Sequence, residues 1–294
     1  MKEEDIMIKD IYQKERTVFS FEVFPPKRNE EIEDLYKTLN TLKTLNPDFI
    51  SVTYGAGGSN AKKTASIASY IKNNCEIDAI AHLTAVAMDE EFLEHLLQEL
   101  KDNGITNVLA LRGDRPKDMS DEAYANRKFL YAEEIIRIIR KQPDICIAAA
   151  CYPEMHPEST SREMDLKFLK QKVEAGVDFL ITQMFFDNNK FYKFREEANK
   201  YGIHVPISVG IMPITSARQL GTSVSLSGTS VPNSLSSMVA KYADNPADMR
   251  KAGIEYAIRQ IEDLISNDVD GIHLYTMNKA DTACEIMNNV RGTV

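Results

Sequence analysis

Residues 145–158 read ICIAAACYPEMHPE. An unbroken apolar run ends abruptly in tyrosine, prolines, glutamates and a histidine. A strand apolar at every position, with no alternation, suits a parallel sheet covered on both faces. The polar group just past it suits a loop that carries chemistry. The same arrangement recurs along the chain. Strands are expected at 17–24, 48–53, 77–84, 107–113, 145–152, 178–186, 206–212 and 271–277. Helical periodicity fills the intervals, with segments at 30–45, 89–104, 131–141, 162–176, 246–267 and 278–290. In the first, Ile32, Leu35, Leu39 and Leu42 share a face; in the second, Phe92, Leu96, Leu97 and Leu100 do, with Gly104 as a stop.

Eight strands alternating with helices in 294 residues predict an α/β fold, a single-domain (β/α)8 TIM barrel over residues 1–294 with residues 1–16 as a charged leader or helix. The competing architecture, an open doubly wound sheet, needs a nucleotide-binding turn. The nearest candidate, GAGGSN (55–60), lacks the third glycine of a dinucleotide fingerprint and the GK[ST] of a phosphate loop. One stretch breaks the rhythm: GTSVSLSGTSVPNS (221–234) reads either as a surface loop followed by a short helix or as a mobile rim loop over a site.

With 43% hydrophobic residues the chain can bury a proper core, and its formal charge of −9 disfavours nucleic-acid binding. The charged start has no apolar signal-peptide centre, and no apolar run is long enough for a membrane span, so a cytoplasmic protein is expected. Cys75, Cys146, Cys151 and Cys284 form no CxxC and no zinc or iron–sulfur spacing. Cys146 and Cys151 straddle one strand end and could approach each other, but reduced, buried thiols are expected.

In a barrel, chemistry sits at the C-terminal strand ends. Those ends carry Glu22, Thr53-Tyr54 with the glycine-rich turn after them, His82, Arg112-Gly113-Asp114, the YPEMHPE run, Gln183, and Tyr275 through Lys279. Each has a bland alternative. Glu22 could be a structural carboxylate, His82 a core histidine, and Arg112 could pair with Asp114 across a turn. Together they offer carboxylates, an amide and aromatic or imidazole groups on one rim. No metal cluster, nucleophile elbow or strand-borne Schiff-base lysine is apparent. The set suits a flat, polar heterocycle and proton transfer, with an organic cofactor supplying the electron chemistry.

FSFEVFPPK (19–27), VTYGAGGS (52–59), AHLT (81–84), LRGD (111–114), YPEMHPE (152–158), DFLITQMFFD (178–187) and HLYTMNKA (273–280), in this order, closely resemble methylenetetrahydrofolate reductase. The likeness runs from about residue 17 to the end, which matches the end of the bacterial form and implies the catalytic domain alone. It implies a barrel holding FAD, reduced by NADH or NADPH, that converts 5,10-methylenetetrahydrofolate to 5-methyltetrahydrofolate for methionine synthesis. The family's general acid maps to Glu22, which protonates the leaving nitrogen of the folate's five-membered ring and opens it to an iminium. Apolar neighbours favour the proton-bearing carboxyl that this needs. Asp114 lies where the family places a charge near flavin and pterin.

Cofactor contacts carry over to Thr53, Tyr54, Ala56, His82, Arg112, Gly113, Asp114, Ala132, Tyr152, His156, Asp165 and Lys172, with Arg112 and Lys172 toward the pyrophosphate and Thr53 toward the nicotinamide. Substrate contacts carry over to Glu22, Asp114, Gln183, Gln219 and Lys279. There are departures. Lys279 stands where many relatives have arginine, and Phe168 and Gln171 replace polar or basic residues that help hold FAD. Ser223 falls about where one branch has a phenylalanine that stacks on the nicotinamide. The resemblance also implies small-molecule folate and nicotinamide partners, no nucleic acid, no membrane, and a homo-oligomer. Two alternatives stay open: a flavin-free pterin-binding methyltransferase barrel, and a flavoprotein subunit taking electrons from a partner protein. Retention of both Glu22 and Asp114 argues against a non-catalytic subunit.

Overall fold

The computed structural model describes residues 7–14, 16–54, 61–116 and 119–290, so the 55–60 turn lies outside the described residues. The eight strands are β1 (Val18–Val23), β2 (Phe49–Val52), β3 (Asp78–Thr84), β4 (Asn107–Leu111), β5 (Cys146–Cys151), β6 (Phe179–Thr182), β7 (Ile207–Ile211) and β8 (Gly271–Tyr275). They are all parallel and close in sequence order into a barrel. The helices are α1 (Ile8–Ile11), α2 (Ile32–Lys43), α3 (Ala61–Asn73), α4 (Glu90–Asp102), α5 (Asp121–Ala125), α6 (Ala132–Ile139), α7 (Arg162–Glu174), α8 (Asn188–Lys200), α9 (Ala217–Ser227), α10 (Asn233–Tyr242), α11 (Pro246–Ser266) and α12 (Ala280–Val290). Each expected strand is present, trimmed by a residue or more at one end or both. The largest trim is at β6, which stops at Thr182 and leaves Gln183 just beyond it.

Alternate strand residues face two different cores. Outward residues such as Phe21, Val23, Ile50 and Val52 pack with Leu35, Leu39 and Leu42 of α2. Inward residues Val18, Phe49, Ile80, Leu109 and Phe179 fill the lower barrel, and Ile8 and Ile11 of α1 join them. The expected N-terminal helix is thus a plug. Its flanking Tyr12 reaches inside to hydrogen-bond Ser208 Oγ at 2.7 Å, with its ring 5.0 Å from Phe179. On α4 the buried face is Leu93, Leu96, Leu97 and Leu100; Phe92, expected on that face, is only half-buried, and its N–H donates to the Asp89 cap. Cys146 joins the inner core and Cys151 the outer one. They stand on opposite faces of β5 and remain free thiols, and burial pushes both up to about 12.

The 221–234 stretch is a loop only at 228–232, and the expected short helix follows it as α10. Its first half continues α9, capped by Ser216, whose Oγ accepts from the Gln219 N–H, and ended by Gly228 at φ 68°. Leu220 and Val224, one turn apart, pack with Met212, Ile214, Leu235 and Met249 in a third apolar cluster. That burial outweighs the weak helix propensity of Ser, Thr and Gly.

Gly210 on β7 is the tightest position in the upper barrel. A Cβ there would lie 2.4 Å from the Thr182 carbonyl oxygen and 2.7 Å from the Tyr275 ring. The missing side chain lets Tyr275 on β8 pass over β7 and donate to that carbonyl on β6 at 2.8 Å. Gly210→Ala is therefore expected to lower stability by about 1–3 kcal/mol, the usual cost of overpacking. Urea unfolding measures it; an unchanged midpoint would show that the barrel mouth has slack.

Candidate active site

A cleft of about 400 Å³ opens at the C-terminal mouth of the barrel. Ten of the residues singled out in the sequence line it together: Glu22, Thr53, Tyr54, His82, Arg112, Gly113, Asp114, Tyr152, His156 and Gln183. They come from the ends of β1 to β6. The rest of the lining is more apolar, with Phe24, Met212, Tyr275 and Met277.

Glu22 is the inward residue near the top of β1, and its outward neighbours Phe21 and Val23 are fully buried against helices. Pro25 and Pro26 follow the strand end. More direct restraint comes from the segment after β8. The Thr276 hydroxyl donates to the Glu22 carbonyl at 2.7 Å, and Asn278 bonds the Phe24 backbone in both directions. Met277 and Asn278 accept left-handed backbone to do so, with φ of 52° and 54°. The Glu22 carboxyl thereby lies between two imidazoles, with Oε2 at 3.6 Å from His82 Nε2 and 3.6 Å from His273 Nε2. Burial pushes His82 down to about 4, against an upward pull from Glu22 and with a further downward push from His273. His82 is thus a neutral ring at neutral pH, and its buried Nε2 has no hydrogen-bond partner among the described residues. His273 has zero exposure and was not singled out in the sequence. A lone histidine in an apolar strand gives no signal until the strand across from it is known.

The β4–β5 side is polar. Arg112 does not pair with Asp114. It forms a two-pronged bridge to Glu158, and that hydrogen bonding raises the guanidinium and lowers Glu158. Asp114 stays exposed on the rim. Gly113, at φ 82°, would bring a Cβ within 2.7 Å of Thr84, so the arginine and aspartate flank a position that only glycine fits. His156 packs edge-on to Tyr152 at 4.7 Å, and its Nδ1 accepts the Glu158 N–H, leaving the ring hydrogen on Nε2. Behind it, Asp165 accepts the His156 N–H at 3.3 Å, and burial raises its carboxyl. Lys172 is half-buried beside them, and its desolvation lowers it. Among the described residues its one hydrogen bond is to the Ala150 carbonyl.

Among the described residues, the remaining cofactor and substrate candidates do not line the cleft. Ala56 lies outside the described residues. Ala132 is the first residue of α6. Gln219 spends its amide within its own loop, accepting from Thr215 and donating to the Pro213 carbonyl at 2.9 Å. Lys279 is exposed at the start of the last helix, and Ser223 is buried on α9. Among the described residues no cluster could hold a metal ion and no helix is long and apolar enough to cross a membrane.

A closed (β/α)8 barrel with an acid-bearing cleft at its C-terminal mouth has the plan of a barrel enzyme. The chain belongs to the methylenetetrahydrofolate reductase family, whose family model matches residues 7–291. It is 35% identical over 294 residues to methylenetetrahydrofolate reductase (NADH) 1 of Arabidopsis thaliana, covering 96% of this chain and 50% of that protein. It is 32% identical over 271 residues to 5,10-methylenetetrahydrofolate reductase of Escherichia coli K12, covering 92% of this chain and 90% of that one. The chain thus spans about half the length of the plant relatives and most of the bacterial one. Among solved structures, a Clostridium thermocellum protein that binds two copies of 5-methyl-5,6,7,8-tetrahydrofolic acid shares the fold, with a TM-score of 0.65 at 14% identity over 98% of this chain and 99% of that one.

His82 makes stability depend on pH in a defined direction. Between about 6.5 and about 4 the unfolded chain binds a proton there that the folded chain refuses, so stability falls as pH drops through that window. His82→Gln removes this share of the slope. Its urea midpoint is expected to change less than the wild type's between the two ends of the window. An equal change would show that the folded protein protonates His82 freely.

Proposed function

We propose that the chain is a flavin-dependent reductase that converts 5,10-methylenetetrahydrofolate to 5-methyltetrahydrofolate, with NADH or NADPH as electron source. The observation that carries this reading is Glu22, a carboxyl on the cleft wall, only 18% exposed and facing two imidazole nitrogens. The residues present fit a flavin. His82 offers a buried nitrogen with no hydrogen-bond partner among the described residues, and Lys172 a half-buried ammonium whose described hydrogen bonding is one carbonyl. Bound FAD would supply the redox chemistry, taking hydride from the nicotinamide and delivering it to the folate's one-carbon unit.

The chain's own groups do the rest. Lys172 and Arg112 supply positive charge for the pyrophosphate, with Arg112 exchanging the exposed Glu158 for phosphate oxygens. Tyr54, Gly113, Tyr152 and His156 bound the space for the ring system, and Ala132 and Asp165, with Ala56 by resemblance alone, complete the flavin contacts. Thr53 faces the nicotinamide, and Gln183, Gln219 and Lys279 serve the folate. Glu22 donates its proton to the leaving nitrogen of the five-membered ring. Asp114 places negative charge beside the iminium that results.

Ser223 favours a second electron source. It is buried on α9 and offers the nicotinamide no aromatic face, which is consistent with a partner protein as donor.

Purified protein is expected to be yellow, to bleach anaerobically with NADH and to recover its colour with methylenetetrahydrofolate. Bleaching by dithionite but not by NADH or NADPH would assign the electrons to a partner protein. Colourless protein that cannot be reconstituted with FAD would sink the flavin reading and leave the pterin methyltransferase. Glu22→Gln is expected to keep flavin reduction by the nicotinamide and to slow folate reduction about 10²–10⁴-fold. Survival of both half-reactions would remove Glu22 as the acid.

A further inference from the structure

The upper barrel holds a hydrogen-bonded chain, Ser20–His273–Ser51, that passes beside the Glu22 carboxyl. Ser20, two residues before Glu22 on β1, pairs in register with His273 on β8. Its Oγ lies 2.7 Å from His273 Nδ1 and 3.3 Å from the Ile272 carbonyl oxygen. A hydroxyl has one hydrogen, and a carbonyl can only accept. With the serine hydrogen on the carbonyl, the bond to the ring must run from His273 Nδ1–H to Ser20 Oγ. The lone pair of His273 is then on Nε2. That nitrogen faces Glu22 Oε2 at 3.6 Å and the Ser51 hydroxyl at 3.4 Å.

The ring has little freedom to turn over. Its exposure is zero, Phe49 stacks on it at 6.0 Å and 25°, and Tyr275 meets it edge-on at 5.6 Å. Tyr275 is itself held over β7 by its bond to the Thr182 carbonyl. His82 presents a second Nε2 to the same carboxyl oxygen.

We propose that Ser20 and His273 are positioning residues for Glu22. Ser20 fixes His273 as the Nδ1–H tautomer, and the ring so oriented takes the Ser51 hydroxyl on Nε2 and turns that edge to the Glu22 carboxyl, keeping the carboxyl aimed from the strand end into the cleft. The catalytic consequence rests on the reading of Glu22 as the acid; the placement of the hydrogen stands without it.

The test uses the full chain loaded with FAD and labelled with ¹⁵N-histidine, the His273 signals being assigned with His273→Asn. A pyrrole-type Nδ1 and a pyridine-type Nε2 are expected; a pyrrole-type Nε2 overturns the proposal. Ser20→Ala frees the tautomer and is expected to slow folate reduction about tenfold, the worth of one hydrogen bond, with flavin reduction by NADH, or by dithionite, unchanged. Combined with Glu22→Gln, it should add no further loss, because Ser20 acts through the carboxyl. Equal slowing of both half-reactions, or an additive loss in the double variant, would make Ser20 merely structural and overturn the proposal. Full folate reduction by Glu22→Gln alone would instead remove the acid reading while leaving the ¹⁵N result to decide the tautomer.

Discussion

The pairing of β1 with β8 closes the barrel, and its register decides what the cleft contains. Ser20 stands opposite His273, and Glu22 opposite Tyr275. On the other side Glu22 stands opposite Ser51. A slip of one residue would turn Glu22 toward the helices and put Phe21 or Val23 into the mouth. Everything polar in the upper barrel depends on this closure, because a carboxyl so placed needs partners. His82 and His273 are there only when all eight strands are in step.

The barrel interior is accordingly split by height. Below, Val18, Phe49, Ile80, Leu109 and Phe179 form a dry plug sealed by α1. Above, serines, imidazoles, a tyrosine and the acid share hydrogen bonds or close contacts. The lower layer supplies stability and the upper one spends some of it. A neutral, buried His82 costs stability in acid, and Met277 and Asn278 hold uncommon backbone so that Thr276 and Asn278 can clamp the end of β1.

The strands were legible because each is a nearly continuous apolar run, a local property that survives without tertiary information. The Ser- and Gly-rich part of α9 was not. Its helix is stabilised by Leu220 and Val224 packing on side chains from the segment after β7, from α10 and from α11, contacts that no local pattern announces. The candidate site was legible as a set of strand ends, since a barrel brings such ends together whatever its sequence. Pairings inside the site were harder. Arg112 finds Glu158 rather than Asp114, forty-six residues on instead of two. His273 stayed hidden because its partner Ser20 is 253 residues away.

The central claim is that the barrel aims Glu22 at the atom to be protonated. It is tested most directly by a crystal structure of the chain with FAD and a folate bound. A Glu22 carboxyl oxygen within about 3 Å of the nitrogen that leaves in ring opening is the predicted result. A folate seated in the cleft with that nitrogen beyond reach of Glu22, and with another acid beside it, would contradict the account.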